Sequence, residues 1–579
     1  MSAVEPIAHP PWRDAAPERS TGREDEARGD DPTTSLAFLR DLLILAIGAG
    51  VLFFAALGAR DLWNPNEPIY GRAVVEMAER GDWTMPTVNG KVFAEKPIGY
   101  YWAARAISLL FGGISEWTLR VPSALAGVGS VLLTYLFVLP YCGRRRAWIA
   151  AALLATMFQV FWTARAVQMD ILVLGSMLGV LVPLTRMIDF GMRPSRAWAL
   201  AGLAAGAGFL AKGPVAWVLP ALVILAYAAS RRRVRALFGF STLLGIAVAV
   251  AITAPWYVTL AFEGEVAFLH EVLIRQNVSR FLSAWDHQRP WWYYLTYVWI
   301  DFAPWSWLLP SALMIRGRSA GERRLILAGW IWIAAVMVFF SLSDSKRSPY
   351  ILPMAPAVAA LAAGVVDRWS TRSFSGRRAW IAAYIGFFAF ALTLAGAGTW
   401  VLLERSTLPG DLRQVGAVLG IVALVSGGVL ASGLFLRRER SAHAPLGVFL
   451  VMLTLYLGAG TWALPAADVL KSDRSFVIAM REQIAPGEDN IVSYRLWDWR
   501  AGYPFYADRT IPNLQTPTEL RSYTDDHDPA YVIVEENQRQ ELQALIPTAT
   551  LVLQRRIGSR RVHLFATRSP IEAARPARR

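Results

Sequence analysis

Residues 119–148 read LRVPSALAGVGSVLLTYLFVLPYCGRRRAW. Over 119–141 the only charged side chain is Arg120, and the stretch then runs into Arg144, Arg145 and Arg146. About 20 apolar residues, rising roughly 1.5 Å each, cross a 30 Å hydrocarbon core. The segment therefore reads as a membrane span closed at one end by a basic cluster. Twelve further stretches follow the pattern, at approximately 42–59, 147–164, 170–188, 197–211, 214–230, 237–262, 291–315, 325–343, 349–366, 379–403, 414–436 and 444–466. The expected fold class is an α-helical polytopic membrane protein of about 13 transmembrane helices. One alternate set of short loops carries 21 arginines, among them Arg231, Arg232, Arg233 and Arg235, against six Lys or Arg in the opposite set. Basic loops stay in the cytoplasm, so the N-terminus is expected there. An odd number of crossings then puts everything after residue 466 on the periplasmic side of a bacterial inner membrane.

Composition agrees with that reading. Of 579 residues 55% are hydrophobic and 18% charged, with a mean hydropathy of +0.35, which excludes an ordinary cytosolic enzyme. A net charge of +14 could suggest nucleic acid, but the cations sit in short clusters between spans, so the charge is topological and no nucleic-acid partner is expected. The single cysteine, Cys142, excludes a disulfide framework and any multi-cysteine metal centre. Residues 1–35, rich in Pro and charge, read as a disordered cytoplasmic tail. Two long outer loops, 60–118 and 263–290, mix Trp and Tyr with charged residues and read as interfacial or re-entrant segments of the transmembrane domain, 36–466. The tail, 467–579, has helical spacing over Phe476–Ile484 and strand-like runs at Asn490–Ser493, Ala530–Val534, Thr550–Leu553 and Val562–Ala566. A small extracytoplasmic α/β domain is expected there.

The outer helix ends and loops gather polar residues. They include Asn64 through Tyr70, then Gly81-Asp82-Trp83 and Glu95-Lys96-Pro97, with Asp170, Lys212-Gly213, Asp344 through Arg347, and Tyr350 further on. Any one of them reads equally well as an interfacial anchor or a structural ion pair. The whole set on one side reads as a site, because unpaired charge at membrane depth costs several kcal/mol.

These residues resemble the membrane glycosyltransferases of the GT-C type, in particular the bacterial branch that includes the lipid A aminoarabinose transferase and relatives of the protein O-mannosyltransferases. The resemblance is carried, in order, by Glu67-Pro68 with Tyr70, Gly81-Asp82-Trp83, Glu95-Lys96-Pro97, Asp170, Lys212-Gly213, Arg280-Phe281, and Lys346 with Tyr350-Ile351-Leu352-Pro353. It departs at three positions. Asn66 replaces the first carboxylate of the family's acidic pair, Ile69 replaces a basic residue, and Asn277 stands where the aminoarabinose transferases have a metal-binding His. No metal ligands are carried over, although a divalent cofactor is left open, and His270 and His287 read as surface residues.

The resemblance implies an inverting hexosyl- or pentosyltransferase. Nucleotide sugars are cytoplasmic, so a site facing outward needs its sugar delivered on a lipid, and a polyprenyl phosphate donor meets that need. Lys96, Lys212, Lys346 and Arg347 are expected to hold the donor phosphate as it leaves. Glu67 and Asp170 are the candidate bases for a hydroxyl acceptor, whereas a phosphate acceptor would need none. Asn66, Tyr70, Glu95, Arg280 and Tyr350 are the expected substrate contacts. The acceptor could be lipid A, another glycan or lipid, or a protein. Trp291 through Tyr294 read as an interfacial belt, and Leu496-Trp497-Asp498-Trp499 as a carbohydrate or acceptor contact. An inactive relative that binds lipid-linked sugar, kept open by Asn66, and a transporter or flippase are the competing readings. The latter lacks the internal repeat and midplane charges usual for transporters.

Overall fold

A computed structural model describes residues 36–283, 286–374, 376–436, 442–484 and 488–567. The expected disordered tail, 1–35, and the basic cluster Arg437, Arg438 and Arg440 lie outside them. Among the described residues nine helices are long and apolar enough to cross a membrane: 36–54, 116–155, 170–190, 240–262, 320–342, 348–370, 377–404, 410–435 and 444–466. The difference from thirteen has local causes. Helix Glu116–Ala155 contains one expected span and the first half of the next, divided at Gly143, whose φ of 75° and ψ of 176° break the helix beside the arginine cluster. Val215–Ser230 is helical but only 16 residues long. Pro194–Lys212 is long enough, yet ten of its 19 residues are Ala or Gly. The stretch 291–315 is interrupted around Pro304 into Tyr293–Asp301, Trp305–Leu308 and Leu309–Met314.

The chain divides into two compact units. The first takes the residues up to Ala55, Glu95–Tyr100 and Arg120–Gly460. Its helices approach closely where side chains are small. A Cβ on Gly202 would lie 2.3 Å from the carbonyl oxygen of Gly245, so Pro194–Lys212 and Phe240–Phe262 touch backbone to backbone. With lipid as the competing solvent, such close packing is what holds helices together. At the arginine-rich ends the charges are paired. Arg144 meets Asp41 at 2.7 Å, and Arg146 bridges Glu322 at 2.6 Å and Asp367 at 3.0 Å.

The second unit takes Ala56–Ala94, Tyr101–Leu119 and the residues from Thr461 onward. The first long loop, expected to go with residues 36–466, groups here with the C-terminal chain. The ties are specific: Trp63 donates to Asp468 at 2.6 Å, Arg474 meets Asp61 at 2.9 Å, and Asn89 exchanges hydrogen bonds with Ile511. Strands β1 (Thr87–Val88) and β2 (Lys91–Val92) form a short hairpin. Five more, β3 (Ile491–Tyr494), β4 (Asn513–Leu514), β5 (Tyr531–Glu535), β6 (Thr550–Ile557) and β7 (Arg560–Ala566), form a sheet ordered β4-β3-β5-β7-β6. The β4-β3-β5 part is parallel and the β5-β7-β6 part antiparallel.

Side chains alternate across this sheet. Ile491, Ile533 and Leu564 pack on one face with Phe476, Met480 and Tyr503. Val492, Val532 and Phe565 pack on the other with Leu520 and Leu542. Both faces are covered, which is why the strands read as continuous apolar runs. The expected helix and four strands are present within a few residues of their limits. Helices Gly502–Ala507, Pro517–Asp526 and Glu536–Leu545, and strand β4, are additional to the elements expected from the sequence.

Candidate functional site

Eight of the eleven expected site residues belong to the first unit: Glu95, Lys96, Asp170, Lys212, Arg280, Lys346, Arg347 and Tyr350. Asp170 opens helix Asp170–Phe190 and Lys212 closes Pro194–Lys212. The two side chains form an ion pair, and Gln168 donates to the second carboxylate oxygen of Asp170 at 2.8 Å. The Lys212 ammonium also sits 4.8 Å from the centre of the Tyr350 ring. Glycine is required next to it. Gly213 has φ +82°, and a Cβ there would come within 3.4 Å of the Asn277 side chain, which donates to the Val272 carbonyl.

A cavity of about 310 Å³ brings Lys96, Lys212 and Arg280 together with Glu95, Gln276 and Tyr350, and its remaining wall is largely apolar, including Val218, Phe281 and Phe339. Three cations beside an apolar wall suit a ligand with an anionic head and a hydrocarbon tail. Arg280 is braced by Asp286 at 2.6 Å and by the Gln276 side-chain oxygen at 3.2 Å. Burial pushes the Lys96 ammonium down to about 8. The Glu95 carboxylate opposes that shift, while Lys212, Arg280 and Arg347 reinforce it. Such mutual repulsion is relieved by an anion.

Lys346 is buried and donates to the Ser343 carbonyl, so in this structure it closes its own turn. Burial lowers its proton affinity as well. The Arg347 carbonyl accepts from Tyr294 at 3.3 Å, and Ser348 donates to both oxygens of Asp301 at 2.8 Å, fixing the chain just after the two cations. Tyr294 is therefore buried, unlike Trp291 and Trp292 in the same aromatic run.

Asn66, Glu67 and Tyr70 belong to the second unit, at the start of helix Asn66–Glu79. Both Glu67 oxygens accept from Arg60, one of them at 3.0 Å, and the Trp63 amide adds a third bond at 3.0 Å. Tyr70 is buried, with ring centres of Phe93 and Tyr101 6.2 and 6.3 Å away. Asn66 is half-buried. His270 and His287 are exposed. Among the described residues no three His, Cys, Asp or Glu side chains gather as a metal would need.

Sequence reasoning missed Arg60, Gln168, Gln276 and Asp301. Arg60 lies seven residues before Glu67, a spacing with no meaning outside a helix. Gln168, two residues from Asp170, is the one a local search would have found.

Residues 95–259 match the family described as dolichyl-phosphate-mannose-protein mannosyltransferase. An undecaprenyl phosphate-α-4-amino-4-deoxy-L-arabinose arabinosyl transferase of Pectobacterium carotovorum is 30% identical over 455 residues, 76% of this chain and 78% of the relative. The Pseudomonas aeruginosa protein of the same name is 33% identical over 318 residues, 54% of this chain and 56% of that relative. Among solved structures, ArnT from Cupriavidus metallidurans bound to undecaprenyl phosphate superposes with a TM-score of 0.71 at 24% identity, covering 92% of this chain and 98% of that one. That last likeness is one of fold.

Proposed function

Because the chain belongs to the family of GT-C membrane glycosyltransferases that includes the undecaprenyl phosphate-α-4-amino-4-deoxy-L-arabinose arabinosyl transferases, we propose that it moves a sugar from undecaprenyl phosphate to an anionic oxygen of a cell-envelope glycolipid, with inversion. The observation that carries this reading is the cavity shared by Lys96, Lys212 and Arg280. A leaving phosphate gathers negative charge as the glycosidic bond breaks, and preorganised cations stabilise that charge most in a site with little water. Lys212 arrives already paired with Asp170. A donor phosphate competes for the same ammonium, so donor binding loosens Asp170 and leaves it to orient the acceptor. Arg347 adds its charge to the field at Lys96, Lys346 reaches the phosphate only by releasing the Ser343 carbonyl, and Glu95 and Tyr350 meet the sugar.

Both candidate bases are committed to cations, Glu67 to Arg60 and Asp170 to Lys212. That favours an acceptor that is already ionised, a phosphate, over a hydroxyl that must lose a proton during attack. Lipid A, which carries phosphate, is the first acceptor to assay, and the pentose in the relatives' names is the first donor sugar. Asn66 then needs no carboxylate, since its neighbour holds a fold-defining ion pair. The chain is a multi-pass membrane protein. We place its N-terminus in the cytoplasm and residues 467–579 in the periplasm, with residues 36–466 as the catalytic domain, on the 21-to-6 arginine and lysine bias.

The test is transfer in proteoliposomes from undecaprenyl phosphate-linked 4-amino-4-deoxy-L-arabinose to a phosphorylated glycolipid and to the same lipid after phosphatase treatment. Product with the phosphorylated lipid alone is expected. Equal transfer to the dephosphorylated lipid would overturn the phosphate acceptor, and failure to consume any undecaprenyl phosphate sugar would overturn the donor.

A further inference from the structure

We propose that a second cavity, built wholly within the unit that holds the C-terminal sheet, receives the phosphorylated saccharide head of the acceptor. The inference rests on the anionic glycolipid acceptor proposed above and adds where it binds. The cavity, of about 480 Å³, is lined by Asn64, Lys471, Trp497, Arg500, Ser559 and Arg560 together with four apolar or glycine positions. That volume lies within the roughly 300–1,000 Å³ of small-molecule sites. Three cations line it and no carboxylate does.

The carboxylates lie behind the arginines and aim them. Arg500 donates to Glu535 at 2.7 Å, and Arg560 stands 3.5 Å from Glu535 and 3.7 Å from Asp473. Asp473 is fully buried and accepts from Asn64 at 2.7 Å, which ties the cavity wall to the chain leading into Asn66 and Glu67. Arg500 meets Glu535 through Nη2, and Arg560 stands at ion-pair distance through Nη1 and Nη2, so each pairing uses only part of the five N–H donors that a guanidinium carries. The floor is the turn between β6 and β7. Gly558 there has φ +62°, and a Cβ would meet the Leu470 carbonyl oxygen at 2.7 Å, so only glycine closes the turn against the Lys471 wall.

The chemistry specifies the ligand class. Two guanidiniums and an ammonium from three separate segments suit phosphate oxygens, which arginine binds in a fork. Trp497, half-exposed, supplies a flat apolar face of the kind a pyranose ring covers, and Asn64 and Ser559 supply hydroxyl partners. A neutral glycan would make no use of the Lys471 ammonium or of the guanidinium donors that the carboxylates do not claim. A bare phosphate would leave most of the volume and the indole unused.

Equilibrium binding to the full-length protein in detergent, without donor, tests this separately from transfer. The probes are a water-soluble glucosamine disaccharide bisphosphate, the same disaccharide without phosphate, and inorganic phosphate. The bisphosphate is expected to bind at least tenfold more tightly than either control and to weaken as salt is raised. Lys471→Glu, at an exposed position, should weaken it at least tenfold at unchanged thermal stability, and Arg560→Gln likewise, with Arg560→Lys retaining part of the affinity. In transfer assays Lys471→Glu should raise the acceptor KM and leave the donor KM unchanged. Wild-type binding by both Lys471→Glu and Arg560→Gln would overturn the assignment. Equal affinity for inorganic phosphate would reduce the cavity to an anion hole and overturn the saccharide. Normal probe binding together with absent transfer would instead count against the proposed reaction.

Discussion

Glu67→Gln separates a structural ion pair from a catalytic base. The Glu67 and Arg60 side chains are 7% and 6% exposed, and the carboxylate takes both arms of the guanidinium as well as the Trp63 amide. The guanidinium also lies 4.7 Å from the centre of the Trp63 ring, so the pair holds the turn that leads into helix Asn66–Glu79. Removing one partner of a buried ion pair costs about 3–5 kcal/mol, because the other charge is left without compensation. Gln keeps one acceptor for Arg60 or Trp63, and a hydrogen bond to a charged group is worth about 1.5–3 kcal/mol. The net loss for Glu67→Gln should therefore be about 2 kcal/mol, within a span of roughly 0–3.5. It should show as a lower Tm in detergent, with the turnover of the surviving folded protein reduced less than about tenfold, short of the 10²–10⁴-fold typical of a lost general base. The double variant Arg60→Gln with Glu67→Gln removes both charges and should recover at least half of the lost stability. An unchanged Tm with a hundredfold fall in turnover, not relieved by the second substitution, would refute the ion-pair reading and restore Glu67 as the base.

The remaining predictions concern the donor cavity, the bundle and the topology. Lys96 titrates near 8, so its charge is present below that pH and lost above it, and donor affinity should fall as pH rises through about 8. Lys96→Arg should flatten that dependence, and an unchanged profile would show that Lys96 does not meet the phosphate. Lys212→Ala should lower transfer by at least about tenfold, roughly 1.4 kcal/mol of transition-state stabilisation, and Asp170→Asn should do less damage than Lys212→Ala because the ammonium survives it. The reverse order would make Asp170 the chemical group. Gly202→Ala forces a methyl against the Gly245 carbonyl and should cost about 1–3 kcal/mol, read as a lower Tm. With Cys142 replaced, cysteines at the exposed positions 91 and 498 should react with a membrane-impermeant reagent in whole spheroplasts, and reaction only in inverted vesicles would reverse the topology.

The apolar windows made the bundle legible because a lipid-facing helix must be apolar along its whole length. Hydropathy sees composition and not backbone, which is why 291–315 read as one span although Pro304 cannot continue its helical hydrogen bonds. Gly143 falls in the gap between the expected spans 119–141 and 147–164, and its φ of 75°, in the region that favours glycine, marks the break beside the arginines. In the C-terminal unit the buried strands announced themselves as apolar runs. The two outer helices, Pro517–Asp526 and Glu536–Leu545, each bury a single leucine, Leu520 and Leu542. Leu520 with Tyr523, and Leu542 with Leu545, are too few apolar positions for periodicity to detect, although Thr516 and Glu519 form a capping box that marks the first helix.

The candidate site divides along the same line. Residue types were legible: Lys96, Lys212 and Arg280 stand out because cations beside apolar helices are costly without a purpose, and the structure gathers them around one cavity. Partners were not. A glutamate beside a proline at a helix start looks the same in sequence whether it faces water, a substrate or an arginine seven residues back, and only the third-dimensional placement of Arg60 shows that Glu67 is spoken for. The cavity at Lys471, Arg500 and Arg560 is the extreme case, since its walls come from residues 64, 471, 497 and 557–560 and no window of the chain contains it. Carboxylates are the residues for which partner matters most, because the same group is a base when free and a brace when paired. Motif position alone therefore leaves acid–base roles open where the motif's neighbours supply a cation, and in this chain both motif carboxylates have one, so Glu67→Gln and Asp170→Asn decide their roles.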